Sequence, residues 1–464
     1  MFPAILLILF TSILVMLIIM TYRIHGIVKA AGDAEGEERT SWIQGSVYAA
    51  IVFTIIAIIA SVYFLVKGTP YEGHLMEWLN IVVRVMHITF GIAWIGASFY
   101  FVFLENALNR TENVRDELAG DLWAVHGGGF YYLEKYKVAP KTIPKHLHWF
   151  KYEAYFTWVS GFALLFIVYY FNASAMLIDT NVLKLSAGAA IAISIGSFIV
   201  GWLLYDLMCK SPLVKKPWLF SLVGVVVLVG FAWFYSHVFS GRAAFIHFGA
   251  MIGSIMVANV FFVIIPSQKA MVNAARRGVP PDGSKGKKAL FRSIHNNYFT
   301  LPVLFVMVSN HFPSTFGNKY QWIVLVAISL GSAGVKHWLN LRERGQLSVW
   351  VLPVSVLVLL AVAYVTKPEV SSGKCDEVPF AVVNAIVQER CISCHSSRPT
   401  DNVYTAPPNG VVYDTPNDIV KKKDLIMQRV VVTKTMPLNN KTGMTPEERE
   451  KVRCWLERGA RVSP

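Results

Sequence analysis

The chain has 464 residues, 54% of them hydrophobic, and a mean hydropathy of +0.47, which is too apolar for an ordinary soluble enzyme. Its formal charge of +14 sits in short basic clusters between apolar runs. That pattern excludes a nucleic-acid partner and instead sets membrane orientation.

In chain order, ten apolar stretches are candidate spans: about 2–22, 42–66, 76–104, 150–171, 183–207, 218–237, 243–265, 298–312, 320–338 and 348–366. Backbone groups in lipid must be satisfied within their own segment, so the spans are expected to be helices. No basic residue precedes the first apolar run, so it is read as a span rather than a cleaved leader. The loops after the odd spans hold most of the Lys and Arg, with Lys151 and Lys336, at the ends of the 150–171 and 320–338 stretches, counted with them. Those after the even spans hold one each: Lys67, Lys184, Arg242 and Lys319. The positive-inside rule then puts both termini, and the polar C-terminal segment, outside.

That segment carries Cys391-Ile-Ser-Cys394-His395, the c-type haem attachment signature. Two thiols on one turn can bond the two vinyl groups of one haem, and the adjacent imidazole can meet the iron. The alternatives are a redox cysteine pair or half a zinc site, but no second Cys/His pair of zinc spacing follows. Met436, ahead of Pro437 and a helix expected from Thr445-Pro446-Glu447-Glu448, is the expected second axial ligand; Met427 and Met444 compete with it. Cys375 and Cys454 are either a disulfide or two buried thiols.

In the apolar part, His87, His237, His247 and His311 fall in the outer portions of their spans, where an ionisable group is costly and therefore a functional candidate. The bland reading of each is a hydrogen-bonded helix contact. A weak repeat matches His87 to His247, Ile92 to Ile252, Phe101 to Phe261 and Leu104 to Ile264. It suggests two parallel four-helix units whose paired histidines could clamp a b-type haem. Arg84, one turn before His87, is read as the one cation inside a span; it wants a propionate, a substrate anion or Glu77. His126 precedes three glycines, read either as an N–H-lined anion loop or as a flexible turn between interfacial helices.

The stretches "RVMHITFGIAWIGASFYF", "LWAVHGGGFYYLEKYK", "LHWFKYEAYFTWVSGFALLFIVYY" and "NNYFTLPVLFVMVSNHFP", followed by a Cys-x-x-Cys-His domain, resemble the integral-membrane urate oxidases (urate hydroxylases) fused to cytochrome c. Span 3 also loosely resembles small four-helix membrane proteins of the haem pathway. The urate oxidase resemblance implies oxidation of urate to 5-hydroxyisourate in purine degradation, with electrons passed to the cytochrome rather than to oxygen. It implies a bacterial inner-membrane setting, a periplasmic cytochrome, and a downstream acceptor such as a soluble cytochrome c or a terminal oxidase. The expected fold is all-α: a polytopic membrane domain over 1–370 and a small class I cytochrome c domain over 371–464. Arg84, His87 and His126 are the catalytic candidates; Cys391, Cys394, His395 and Met436 would hold haem c, and His87 with His247 a haem b. The rival readings are a quinol–cytochrome c oxidoreductase and a transporter or sensor with a tethered electron carrier. A haem–copper oxidase is disfavoured, because the one His-x-His, His146-Leu-His148, lies in a loop.

Overall fold

The computed structural model describes residues 10–19, 34–69, 71–144, 147–318, 320–367, 375–401, 404 and 406–462. The flanks of the first span, His146, Lys319 and the expected domain boundary at 370 lie outside them. The packing separates residues 1–79 with 396–411 from residues 80–395 with 412–464. In the first unit, α1 (Phe10–Ile19) and α2 (Ala34–Val66) are helices. Thr54 and Ser61 of α2 return their hydroxyls to the Ala50 and Ala57 carbonyls at 2.8 Å, which closes both polar groups within an apolar helix.

The second unit takes α3 (Tyr71–Ala107) from Asn80 onward, then α4 (Tyr152–Tyr170), α5 (Ala187–Lys210), α6 (Pro217–Val238) and α7 (Gly241–Arg276). It continues with α8 (Gly283–Ser309), α9 (Gln321–Glu343) and α10 (Val351–Val365). Among the described residues six helices, α3 to α7 and α9, are long and apolar enough to cross a membrane. The helix α1, the Ala50–Val66 part of α2 and α10 are apolar but shorter. Ten full spans are therefore not seen. The eighth expected stretch is the end of α8, whose buried face carries Arg292, Asn296, Asn297 and Thr300.

The centre of this bundle is α7, which packs on α4, α5, α6 and α8 and buries Phe245, His247, Phe248, Met251 and Ile252. It is the most enclosed of the six helices, and α3 is the least. The two helices matched by the repeat thus occupy different settings. Both α4 and α7 contain a π turn, at Leu165–Tyr170 and Asn259–Ile264, and such turns shift the face a helix presents.

Between α3 and α4 the chain forms a hairpin, β1 (Leu118–His126) with β2 (Gly129–Tyr136), in place of the expected turn between interfacial helices. Gly127 and Gly128 have φ of +58° and +81°, which a two-residue type I′ turn demands at both central positions. The strands are rich in aromatic residues, Trp123 in β1 and Phe130, Tyr131, Tyr132 and Tyr136 in β2, which favour extended backbone.

The C-terminal segment is built on two helices, α11 (Phe380–Arg390) and α12 (Pro446–Glu457). They meet through Phe380 and Trp455, whose ring centroids are 5.7 Å apart. The start of α12 is the expected one. Thr445 and Glu448 form a reciprocal capping box, with Pro446 at the first helical position. Cys375 and Cys454 are joined in a disulfide, with Cα atoms 5.0 Å apart, which resolves the two readings of that pair. Arg390 donates to Glu448 at 3.0–3.2 Å and to the Thr442 carbonyl at 2.6 Å, tying the end of α11 to the start of α12.

Two outcomes follow. Replacing Cys375 and Cys454 by Ser removes a cross-link over a long loop, worth about 2–5 kcal/mol to a small domain; hydrogen exchange of the α11 and α12 amides should speed accordingly. The Arg390 hydrogen bonds hold the Glu448 carboxyl below its ordinary value. Its contribution is present above the unfolded-state value and is lost as pH falls through the lower folded-state value. An acid titration of α12 protection should show that loss, and Glu448→Gln should remove it.

Candidate functional site

His87 faces α4, where its Nδ1 lies 3.0 Å from the Thr157 carbonyl and 3.2 Å from Ser160 Oγ. A carbonyl only accepts, so Nδ1 carries the proton and Nε2 keeps its lone pair. Gly161 makes this approach possible: a Cβ there would stand 2.9 Å from His87 Cε1. One turn earlier, Arg84 donates to Asn80 Oδ1 at 2.9 and 3.2 Å, so its partner is an amide one turn back. Its charge is left uncompensated by that contact.

His247 repeats the arrangement in a tighter setting. Its Nδ1 bonds the Ala243 carbonyl at 2.8 Å, while Nε2 is buried and has no hydrogen-bond partner. Tyr169, Tyr170, Phe198, Tyr235 and Phe239 enclose the ring, with centroids 4.8–6.3 Å away. Five close rings leave no space for a porphyrin beside His247, so the packing does not suit a haem b clamped there. It suits a base or hydrogen-bond acceptor for a small molecule.

Arg84 and Arg242 both act electrostatically on Tyr169, whose hydroxyl donates to Asn310 Oδ1 at 3.4 Å. The Arg242 guanidinium lies over Phe316 at 5.5 Å, and its Nε is buried without a partner. The structure therefore sets Tyr169 against the ring of His247 and within electrostatic reach of Arg84, two of the expected residues. It adds Arg242, which had been counted as a loop cation. His87 stands one turn from Arg84. His126 is elsewhere: it closes an exposed hairpin that is bridged at Asn109 and Asp121 to the far end of α3, about 30 Å along that helix from His87. His237 bonds its own helix at Trp233, and His311 sits in an exposed turn after α8.

The C-terminal segment reaches this same end of the bundle. Asn439 Nδ2 donates to the Ala175 and Ile178 carbonyls at 2.9 Å each, groups left open where the π turn at Ala173–Leu177 ends. Ser240, which caps α7, bonds the neighbouring Met176 and Leu177 carbonyls. Burial, and then the nearby Arg242, hold the Arg429 guanidinium below its usual range. Two like charges set against each other favour an anion between or beside them.

Cys391 caps α11, and the amides of Cys394 and His395 bond back to the Cys391 carbonyl, so both thiols and the imidazole share one turn. The thiols are not joined to each other. Arg449 holds the Val430 and Met436 carbonyls at 2.6 and 2.7 Å and acts electrostatically on Cys391. Arg449 therefore links the Met436 loop, by hydrogen bonds, to the cysteine turn, by charge, and Tyr413 lies against His395 at 5.5 Å between ring centroids. Two thiols, an imidazole and a thioether are donors that would suit a covalently bound haem.

The sequence reading missed a second polar region. Arg292, 1% exposed, donates to Asp206 at 2.6 Å and to Asn259 at 3.2 Å. Lys336, also buried, lies over the Phe99 ring. Both had been counted as loop cations, so Arg84 is not the one cation within the helices. The signal that could have found them is the polar run His295-Asn296-Asn297 beside an apolar stretch.

Residues 73–367 match the family described as "Urate oxidase N-terminal". No curated protein and no solved structure matches the chain. The matched segment holds Arg84, His87, Tyr169, Arg242 and His247 and stops before the cysteine turn. The chain belongs to the urate oxidase N-terminal family.

Proposed function

We propose that this protein is a membrane-bound urate oxidase that converts urate and water to 5-hydroxyisourate, releasing two electrons and two protons. The family membership of residues 73–367 carries this reading, and the cationic cluster at Tyr169 supports a location for it. Urate is an anion near neutral pH. Arg84 and Arg242 would hold it, and the charge-assisted hydrogen bonds of a guanidinium suit its oxygens. His247 Nε2, unpartnered and buried, would take a proton from urate or from the attacking water. The aromatic rings around it would limit water to the molecule that reacts.

Cys391 and Cys394 would bond a haem, which would supply a one-electron acceptor. His395 and Met436 would hold its iron, and the Asn439 contact would hold the Met436 loop against the bundle end that carries the arginines. We read the cytochrome as periplasmic on a bacterial inner membrane, with a soluble cytochrome c or a terminal oxidase taking the electrons onward.

The test is an anaerobic absorption spectrum of the oxidised protein before and after urate. Urate should bring up the reduced c-type band while 5-hydroxyisourate accumulates. Arg242→Met should cut kcat/KM about 10–150-fold, the worth of one or two hydrogen bonds to a charged group. Haem reduction by quinol, with urate inert, would favour the quinol oxidoreductase instead. Urate binding without reduction would favour the transporter or sensor.

A further inference from the structure

The buried lysine of α9 has no role in the chemistry proposed at Tyr169. Its Nζ is fully buried and hydrogen-bonds to no protein atom. The face of Phe99, 3.8 Å from it, is a partial substitute. Glu343 acts on it only electrostatically, and that carboxylate already accepts from Asn106 at 2.9 Å. One turn along the same face is Asn340, also buried, whose Oδ1 is without a partner. Its amide nitrogen is spent on Asn297 Oδ1 at 3.2 Å. An ammonium without an acceptor and an amide oxygen without a donor therefore sit side by side in an apolar bundle. Leaving either group unmatched is costly, and a buried charge most of all.

We propose that Lys336 and Asn340 form a second binding site, for a planar oxo-heterocycle anion that presents an oxygen acceptor beside an N–H donor. The acceptor edge takes the Lys336 ammonium and the neighbouring N–H goes to Asn340 Oδ1, with Phe99 as a wall. A simple inorganic anion would satisfy the lysine alone and leave Asn340 open. The site is distinct from the one at Tyr169. Gln321, at the start of α9, lies against Gly241 beside Arg242, and Lys336 is fifteen residues further on, about 22 Å along the helix. The identity of the anion as an oxopurine rests on the proposed function; the existence of the site does not.

Equilibrium binding of labelled urate decides it, with the protein held reduced by dithionite so that no turnover occurs. The native chain should bind two urates. Lys336→Met, which keeps the volume and removes the charge, should bind one, with at least tenfold loss at the other site. Lys336→Arg should retain part of that binding, and Asn340→Leu should weaken it while leaving acetate competition unchanged. Arg242→Met should spare the Lys336 site. The proposal is overturned if Lys336→Met binds urate like the native chain, or if neither urate nor xanthine binds in a Lys336-dependent way. If urate fails to reduce the haem while Lys336-dependent binding persists, the proposed function falls and this site stands.

Discussion

The contact on which the apolar helix bundle depends is the Arg292–Asp206 pair. A guanidinium that is 1% exposed cannot be left alone in an apolar interior, so α8 must stand where α5 supplies Asp206 and α7 supplies Asn259. Asn259 then donates to Asn296 Oδ1 at 2.9 Å, and Asn296 to the Met256 carbonyl at 2.9 Å. Hydrophobic contact in lipid gives helices little reason to prefer one neighbour, whereas a chain of directed bonds does. The π turn that begins at Asn259 lies at this junction, and its wider coil turns the asparagine toward α8. The network therefore sets the register of three helices at once.

That network explains what could and could not be read from the residues. Apolar length located α3 to α7 and α9, because a span needs only a long run of apolar side chains. The Thr445 capping box and the single turn of Cys391, Cys394 and His395 were legible because each is a local pattern with a local cause. Arg292 and Lys336 were not. Hydropathy treats a cation as the end of a span, yet here each is enclosed by partners from distant segments, which no local window contains. The hairpin was missed for a different reason. Three glycines suggested a ligand loop, although the aromatic-rich runs on either side of Gly127 and Gly128 suit two strands.

The candidate site was half legible. Arg84 and His247 were picked because charge inside an apolar run is expensive; His247 packs against Tyr169, and Arg84 acts on it electrostatically. Arg242 escaped because it looked like the single cation of an outer loop. The repeat that paired His87 with His247 did recover a shared local device, in which each ring spends Nδ1 on a backbone carbonyl and keeps Nε2. It did not foresee that α7 would be enclosed by its neighbours and α3 left largely open, so that the two rings serve different surroundings.

The placement of the C-terminal segment bears on how charge and electrons would move together. Asn439 lies in the loop that carries Met436, and its two bonds reach carbonyls next to those held by Ser240, the cap of α7. Arg242 follows that cap by two residues and His247 by seven. The loop that carries Met436 is thus held at the end of the bundle where α7 begins. In the reaction proposed above, removing electrons from the bound anion would leave the surrounding guanidiniums less compensated, which would disfavour further oxidation unless protons left as well. Under that proposal His247 Nε2 would take the proton first, and its onward release from the site would restore the balance, which gives the arginines and the histidine reason to sit together.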